Sequence, residues 1–260
     1  MALSQHTIAG TVLTMPVRIR HADVHSAMFS VAADAAQAMI DYSGLQVFQH
    51  RPGQAAVNLM LARYIDGDLG EYHEFGTAVM INPPSSCGGS SFASPPSSLA
   101  KPPGTEARGW RALGSAGAFI HHLPVDQAFT LEAGRTIWGF PKIMADFTVR
   151  DGRQLGFDVA ADGQHIVTME FGRGLPVPGL FTSRPRTLKA FSHLDGVTRE
   201  IPWEMRVSRV RGSMGGTTLR LGTHPYAREL AALGLPKRPM MSSTVGHVEM
   251  TFGDPDVVSS

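Results

Sequence analysis

The sequence contains very little cysteine, because Cys87 is the single thiol among 260 residues. One cysteine cannot form a disulfide within the chain, and Cys87 lies in a Ser/Gly/Pro-rich stretch far from any histidine that could activate it. Long apolar runs are also missing, since no stretch approaches the roughly 20 apolar residues that a membrane helix needs. The first 20 residues contain no basic region followed by a long apolar run. We therefore expect a cytoplasmic protein that has no membrane partner.

An excess of charge of one sign is absent as well. The 23 basic and 22 acidic residues leave a formal net charge of +1, which gives no electrostatic reason to expect nucleic acid as a partner. Arg206, Arg209 and Arg211 form a short basic run that alternates with Val207 and Val210. This alternation predicts the solvated face of a strand.

Several catalytic motifs are missing. GSMGG has neither the pattern of a phosphate loop nor a helix after it, and there is no G-x-S-x-G of an ordinary esterase. His121 and His122 are adjacent, so on a regular strand they would face opposite sides and could not share one metal ion. No histidine, cysteine or carboxylate set has the spacing of a metal site, and we expect neither a metal nor an organic cofactor.

Strand signals dominate the remaining sequence. Asp151-Gly152 and Asp162-Gly163 separate short alternating segments, and both dipeptides are strong hairpin signals because their residues tolerate positive φ. Gly215-Gly216 predicts the turn of another antiparallel pair within residues 203–222. Further strands are predicted over residues 55–65, 71–81 and 117–125, and in VGHVEMTF near the C-terminus.

Two helices are predicted, Ala32–Asp41 and His224–Leu233. The second has Pro225 at a first-turn position and Gly234 just past its end. Many strands with few helices indicate a barrel or sandwich, within a single domain over residues 1–260. Residues 82–105 are so rich in Ser, Pro and Gly that we expect a mobile surface loop, or alternatively a lid over the site.

Lys142 is the only charged residue in WGFPKIM, where Trp138 and Phe140 are among its apolar neighbours. Apolar surroundings disfavour the ammonium form of a lysine. A neutral amine is what attack on a ketone requires. The alternative is a lysine at a strand end whose amine extends to water.

Glu74 lies on a segment that is otherwise largely apolar, in GEYHEFG. The period of two places Tyr72, Glu74 and Gly76 on one face, and His73 and Phe75 on the other. A carboxylate that faces inward could orient a substrate or move protons. A position at the rim or edge of the sheet is the other interpretation.

These segments resemble the acetoacetate decarboxylase family. GRTIWGFPK, which ends in Lys142, is similar to the family's active-site segment, and GEYHEFG is similar to the segment that contains its glutamate. FSVAADAAQAMI and HPYARELAALGLPKRPMMSSTVGHVEM resemble the early helix and the C-terminal segment. The resemblance thus spans most of the chain outside residues 82–105.

The resemblance implies a mainly β (α+β) fold, a cone-like antiparallel β-barrel with a few peripheral helices, in a homo-oligomer. It also implies that Lys142 forms a Schiff base with a small keto acid and that Glu74 orients the substrate or moves protons. Tyr72, Trp138 and Phe140 would form the walls of the pocket. The family's substrate-binding arginine corresponds loosely to Arg20.

The chain departs from the family at two positions. Ile143 stands where the decarboxylases have a second lysine, and Asn58 or Leu59 stands where they have a second pocket glutamate. We therefore expect a Schiff-base carbon–carbon lyase of the acetoacetate decarboxylase type. An aldolase–dehydratase acting on pyruvate-like substrates, or a non-catalytic barrel that binds a small ligand, are the alternatives.

Overall fold

Long segments in which buried and exposed residues alternate build most of the molecule. A computed structural model describes residues 4–84, 116–152, 155–179 and 185–258, together with Gly114. Most of the predicted loop at 82–105 and the whole surroundings of Cys87 therefore lie outside the described residues. The main-sheet strands are β3 (Val17–Ala32), β4 (Gln46–Val47), β5 (Gln49–Arg51), β6 (Gln54–Gly67), β7 (Tyr72–Asn82), β8 (Gly117–Val125), β9 (Lys142–Met144), β13 (Leu175–Pro176), β14 (Arg186–Leu194), β15 (Val197–Ser213), β17 (Met241–Phe252) and β18 (Asp256–Val257).

The main sheet is large and curled. Its strands pair in the order β7, β6, β3, β17, β15, β14 and β8, and β8 pairs again with β7. It is not a strictly closed antiparallel barrel, because β8 runs parallel to both β14 and β9. The predicted mainly β class is confirmed.

A second, four-stranded sheet consists of β10 (Asp146–Arg150), β11 (Leu155–Ala161), β12 (Gln164–Phe171) and β16 (Thr217–Leu221). A separate two-stranded ribbon is formed by β1 (Gln5–Ile8) and β2 (Thr11–Thr14). The predicted hairpin at Asp162-Gly163 is confirmed, because these residues join β11 to β12 with φ of 50° and 70°. The antiparallel pairing of β10 with β11 across Asp151-Gly152 is confirmed too.

The predicted pairing across Gly215-Gly216 is wrong. The strands on either side of this dipeptide lie in different sheets, since β15 pairs with β14 and β17 whereas β16 pairs with β12. Both glycines have positive φ, of 78° and 80°, and the chain leaves the main sheet there. The buried side chain of Leu219 on β16 packs in the core between the two sheets, and this burial outweighs a local hairpin. The predicted solvated face of β15 is confirmed, because Arg206, Arg209 and Arg211 are exposed.

Three helices lie against the sheets: α1 (Ala33–Ile40), α2 (Ala128–Trp138) and α3 (Pro225–Ala232). Both predicted helices are confirmed, and α3 begins as expected with Pro225 in its first turn. Helix α2 has no clear signal in the sequence, because its internal Gly134 weakens its helix propensity. None of the described helices is both long and apolar enough to cross a membrane.

Two apolar cores result. The first lies between the main sheet, the second sheet and helices α1 and α3, and contains Phe75, Phe157 and Tyr226. The second lies on the other face of β6 and β7 and contains Tyr64 and Tyr72. The candidate active site is built into this second core.

Candidate active site

Helix α2 and strand β9 together place Lys142. The helix ends at Gly139, whose φ of 63° reverses the chain and whose N–H donates to the Arg135 carbonyl. After Phe140 and Pro141 the chain enters β9, where Lys142 pairs in parallel with Leu123 of β8. The Arg135 side chain donates back to the Lys142 carbonyl over 3.1 Å. The lysine backbone is therefore held from both a helix and a strand.

The side chain of Lys142 ends beside Glu74. Its Nζ lies 2.7 Å from Oε2 of Glu74 and donates to Oγ1 of Thr130 over 2.9 Å. Lys142 is 3% exposed and Glu74 is 4% exposed, so this ion pair is almost completely removed from water. A buried pair of charges persists only where each partner satisfies the other.

Both oxygens of the Glu74 carboxylate are occupied. While Oε2 contacts Lys142, Oε1 accepts a hydrogen bond of 2.8 Å from the Tyr64 hydroxyl. The predicted alternation of β7 is confirmed, because Tyr72 and Glu74 face the cavity whereas Phe75 packs in the first core. Glu74 is not a rim residue.

Two stacked tyrosines support the ion pair. The rings of Tyr64 and Tyr72 lie 4.1 Å apart at 17°, and Nζ of Lys142 is 5.2 Å from the centre of the Tyr72 ring. Burial, with the Glu74 charge nearby, raises the pKa of both phenols well above the usual value of 10. Both tyrosines are therefore neutral hydrogen-bond donors under ordinary conditions.

The ion pair opens into an apolar cavity of about 80 Å³. Glu74 and Lys142 are the only charged residues among its described lining. Most of the wall is aliphatic or aromatic, and includes Met60, Leu123, Trp138, Phe140, Met205 and Phe252. Electrostatic interactions in such surroundings are stronger than in water.

Trp203 is part of this wall. Its indole ring lines the cavity and stacks on Phe252, with ring centres 5.6 Å apart. The indole Nε1 is buried and has no hydrogen-bond partner among the described residues. A buried N–H without a partner costs free energy, so a hydrogen bond to a ligand oxygen at this nitrogen would be favourable.

The structure brings together most of the residues that the sequence singled out. Lys142, Glu74, Tyr72, Trp138 and Phe140 all line the cavity. Three further residues at the site, Thr130, Tyr64 and Trp203, were not predicted from the sequence. Thr130 and Gly134 are one helical turn apart on α2, so a predicted helix would have put both on one face. Only the structure shows that this face lies against Lys142.

Arg20 is placed apart from these residues. Its guanidinium is half exposed and lies 2.6 Å from a carboxylate oxygen of Asp66 and 2.6 Å from one of Asp68. These hydrogen bonds raise its pKa further above the ordinary arginine value. It does not line the cavity, and its contact with a substrate stays a prediction.

The residues at the two departures from the family pattern differ in the face they occupy. Ile143 and Leu59 pack in or against the first core, away from Lys142. Asn58, the other residue at the second departure, lies on the opposite face of β6 from Leu59 but is not part of the described cavity lining. Strand β6 contributes Met60, Ala62 and Tyr64 to the cavity instead. No second lysine or second carboxylate lines the described wall of the cavity.

The prediction that His121 and His122 face opposite sides is wrong. Strand β8 carries an irregularity opposite Thr77 and Ala78, so that His121 has no register partner on β7. Such a bulge reverses the alternation locally. Ile120 and Leu123 line the cavity, and both histidines point to the other face of the sheet, where each contacts Glu229 of α3.

Comparison with known proteins decides the family. The family model described as "Acetoacetate decarboxylase (ADC)" matches residues 7–260 of this chain. The chain belongs to the acetoacetate decarboxylase family. This membership supports an acetoacetate decarboxylase-like enzyme with lyase-like chemistry. A search of the curated proteins found none that matches the chain.

Solved structures share the fold at low identity. An acetoacetate decarboxylase from Legionella pneumophila is 17% identical with a TM-score of 0.62, over 94% of this chain and 87% of that one. The enduracididine biosynthesis enzyme MppR, complexed with pyruvate, is 16% identical with a TM-score of 0.57, over 95% and 92%. An acetoacetate decarboxylase-like enzyme from Sphingomonas wittichii RW1 is 14% identical with a TM-score of 0.59, over 99% and 100%.

Proposed function

We propose that this family member is a Schiff-base-forming carbon–carbon lyase that acts on a small keto acid, with Lys142 as the nucleophile. One observation carries the proposal. The Lys142 amine is buried in an apolar cavity and its nearest charged neighbour is a single carboxylate, 2.7 Å away. A structural ion pair would not need an adjoining cavity, whereas a reacting amine does.

The contact with Glu74 supplies a route to a neutral amine. A proton passes from Nζ of Lys142 to Oε2 of Glu74 across their 2.7 Å hydrogen bond. The net charge of the cavity is zero before and after this transfer. Entry of a substrate that displaces residual water favours the neutral pair, because an apolar medium penalises separated charges.

The neutral amine then attacks the substrate carbonyl and forms a carbinolamine. Protonated Glu74 returns its proton to the carbinolamine hydroxyl, which leaves as water, and a protonated imine remains beside the Glu74 carboxylate. The imine accepts the electron pair that is released by cleavage of a carbon–carbon bond or by loss of an α proton. Tyr64 holds the carboxylate in position throughout, through Oε1.

Trp203 and the aromatic wall would position the substrate. The unpartnered Nε1 of Trp203 is a donor suited to a substrate carboxylate or carbonyl oxygen. Tyr72, Trp138 and Phe140 would exclude water and contact the apolar part of the substrate. Arg20 would reach a substrate only after leaving Asp66 and Asp68.

Aldolase–dehydratase chemistry on a pyruvate-like substrate is the second candidate. It is favoured by the described lining of the cavity, which contains one lysine, Lys142, and one carboxylate, Glu74, without the second lysine and second glutamate that the resemblance implies for the decarboxylases. MppR, which shares this fold, has been described with pyruvate and with the condensation product of pyruvate and imidazole 4-carboxaldehyde. Release of carbon dioxide from a panel of β-keto acids, against condensation of pyruvate with aldehydes, separates the two reactions.

Borohydride trapping tests the formation of a Schiff base on Lys142, the step that both candidate reactions share. The protein is incubated with acetoacetate or with pyruvate in separate tubes, reduced, digested and mapped by mass spectrometry. We expect a reduced adduct on Lys142 and none on Lys189, an internal control that pairs with Glu200 at 2.6 Å on the surface. Adduct on both lysines in equal yield, or on neither during turnover, would refute the mechanism. Saturable binding of the keto acids without any adduct would indicate the non-catalytic binding barrel instead.

A further inference from the structure

A cluster of potential ligands lies on the outer face of β8, away from the Lys142 cavity. It consists of His121 and His122 on β8 and Glu229 on α3, and we refer to it as the β8–α3 cluster. Nε2 of His121 is 2.7 Å and Nε2 of His122 is 2.8 Å from the same oxygen, Oε2 of Glu229. The potential ligand atoms of all three side chains lie within 4.8 Å of one another.

The bulge in β8 is what makes this convergence possible. On a regular strand the two imidazoles would lie on opposite faces, but the extra residue at His121 puts both on the α3 side. One helix position, Glu229, then faces both rings. Bulges commonly re-aim a side chain at a functional position, and this one aims two.

The chemistry of the three groups suits a divalent transition metal. Two imidazole nitrogens and one carboxylate oxygen form a ligand set that zinc uses where a fourth position stays open to solvent. Glu229 and His122 have side-chain exposures of 42% and 24%, so the cluster is reached from solvent. With zinc–ligand distances of about 2.0–2.1 Å, each histidine Nε2 and Oε2 of Glu229 would have to move apart by roughly 0.5 Å. The side chain of Glu229 can make this movement because it is partly exposed.

Tyr42 provides the outer contact that such a site needs. Its hydroxyl lies 2.9 Å from Nδ1 of His121, the ring nitrogen that points away from Glu229. A metal-ligating histidine usually hydrogen-bonds through its second nitrogen, which fixes the tautomer. The hydroxyl can accept as well as donate, so His121 can move its proton to Nδ1 and leave Nε2 free.

We propose that the β8–α3 cluster binds one divalent transition-metal ion, with zinc as the best-fitting ion. The ion would replace the two Nε2 protons, which move to Nδ1 of the same rings, and no net charge other than that of the ion is added. It would join α3 to β8. Because α3 carries the buried Tyr226, the expected consequence is resistance of the fold to unfolding.

The test uses the full chain, freed of metal with a chelator that is then removed. Zn²⁺ is titrated calorimetrically, Co²⁺ binding is followed by its visible absorption, and Tm is measured with and without Zn²⁺. We expect one ion per chain, a Co²⁺ spectrum typical of nitrogen and oxygen ligands, and a Tm that rises with Zn²⁺ concentration. Absence of saturable binding near neutral pH overturns the proposal.

Matched variants locate the ion. Glu229→Gln and His122→Gln keep hydrogen-bonding groups at their positions and should each weaken Zn²⁺ binding by at least about tenfold; Tyr42→Phe should weaken it less. His247→Gln is the control, since it removes a histidine 3.4 Å from Glu249 on β17 and should leave the affinity unchanged. If Glu229→Gln does not fold, His122→Gln decides alone. Equal affinity in the wild-type chain and in His122→Gln refutes the site.

Discussion

Gly134 of α2 lies directly against the side chain of Lys142. A Cβ at position 134 would come within 2.6 Å of both Cδ and Cε of the lysine, and within 3.3 Å of Nζ. The glycine is thus needed for the space it leaves and not for its backbone conformation. The need for this space explains why a glycine, which weakens a helix, lies in the middle of α2.

Gly134→Ala should therefore separate stability from activity. Alanine favours a helix interior by up to about 1 kcal/mol, and the atoms it displaces are the flexible end of Lys142. We expect the free energy of unfolding in urea to change by less than about 1 kcal/mol, while trapping on Lys142 falls at least about tenfold. Unchanged trapping with folding intact would show that the position of Nζ is not critical.

The Glu74–Lys142 pair should show strong coupling in a double-mutant cycle. Glu74→Gln or Lys142→Met alone leaves one buried charge without its partner and should cost about 3 kcal/mol of unfolding free energy. The double variant removes both charges and should cost clearly less than the sum of the two. Urea denaturation at neutral pH measures the unfolding free energy of the wild type, the two single variants and the double variant. A double variant whose loss equals the sum of the two single losses would contradict a buried ion pair.

Thr130 should matter through its hydroxyl. Thr130→Val keeps the shape of the side chain but removes the acceptor that lies 2.9 Å from Nζ of Lys142, whereas Thr130→Ser retains it. We expect Thr130→Val to lower stability by about 1–2 kcal/mol and to lower kcat, with Thr130→Ser closer to wild type. Steady-state kinetics and urea unfolding of the pair provide the comparison. Equal effects of the two variants would assign the role to packing.

Trp203→Phe should weaken substrate binding more than it slows the chemical step. The ring keeps its stack on Phe252, and only the unpartnered Nε1 donor is lost. A hydrogen bond to a charged oxygen is worth about 1.5–3 kcal/mol, so KM should rise about tenfold or more with a smaller change in kcat. An unchanged KM would remove Trp203 from the proposed substrate contacts.

Stability should fall in acid partly through His25. Burial lowers the pKa of this imidazole from its usual 6.5 to about 4, against the raising effect of Asp23. Between these two pH values the unfolded chain binds a proton that the folded chain does not, so stability is lost as pH falls through this window. The loss amounts to about 3 kcal/mol at most. The free energy of unfolding between pH 4 and 7 should depend less on pH in His25→Gln, and parallel curves for the two proteins would contradict the assignment.

Short sequence motifs predicted the turns and helix ends whose backbone conformation depends on only a few neighbouring residues. Asp162-Gly163 fixes its own turn, and Pro225 and Gly234 bound α3, because these residues restrict backbone conformation by themselves. The partner of β16 could not be predicted in this way, since it depends on which core buries Leu219. The bulge at His121 also escaped prediction, because it depends on the register between β7 and β8.

The candidate site was predictable to a similar extent. Lys142 and Glu74 stood out as charged residues in apolar segments, and the alternation of β7 gave the correct face for Glu74. Thr130 and Tyr64 do not differ from their neighbours in this way, because an uncharged threonine in a helix or tyrosine in a strand is common. Their roles become visible only when the contact distances to Nζ and to Oε1 are known.

The parallel contact between β8 and β14 has a consequence for slow motions. Six of the seven junctions in the circuit of the main sheet are antiparallel ladders, but this one joins only Ala118 with Ala190 and Phe119 with Phe191. This junction has the fewest paired residues, so partial opening of the main sheet should begin at this short seam. Amide hydrogens of β8 next to the seam should therefore exchange with deuterium earlier than those of β3 and β6.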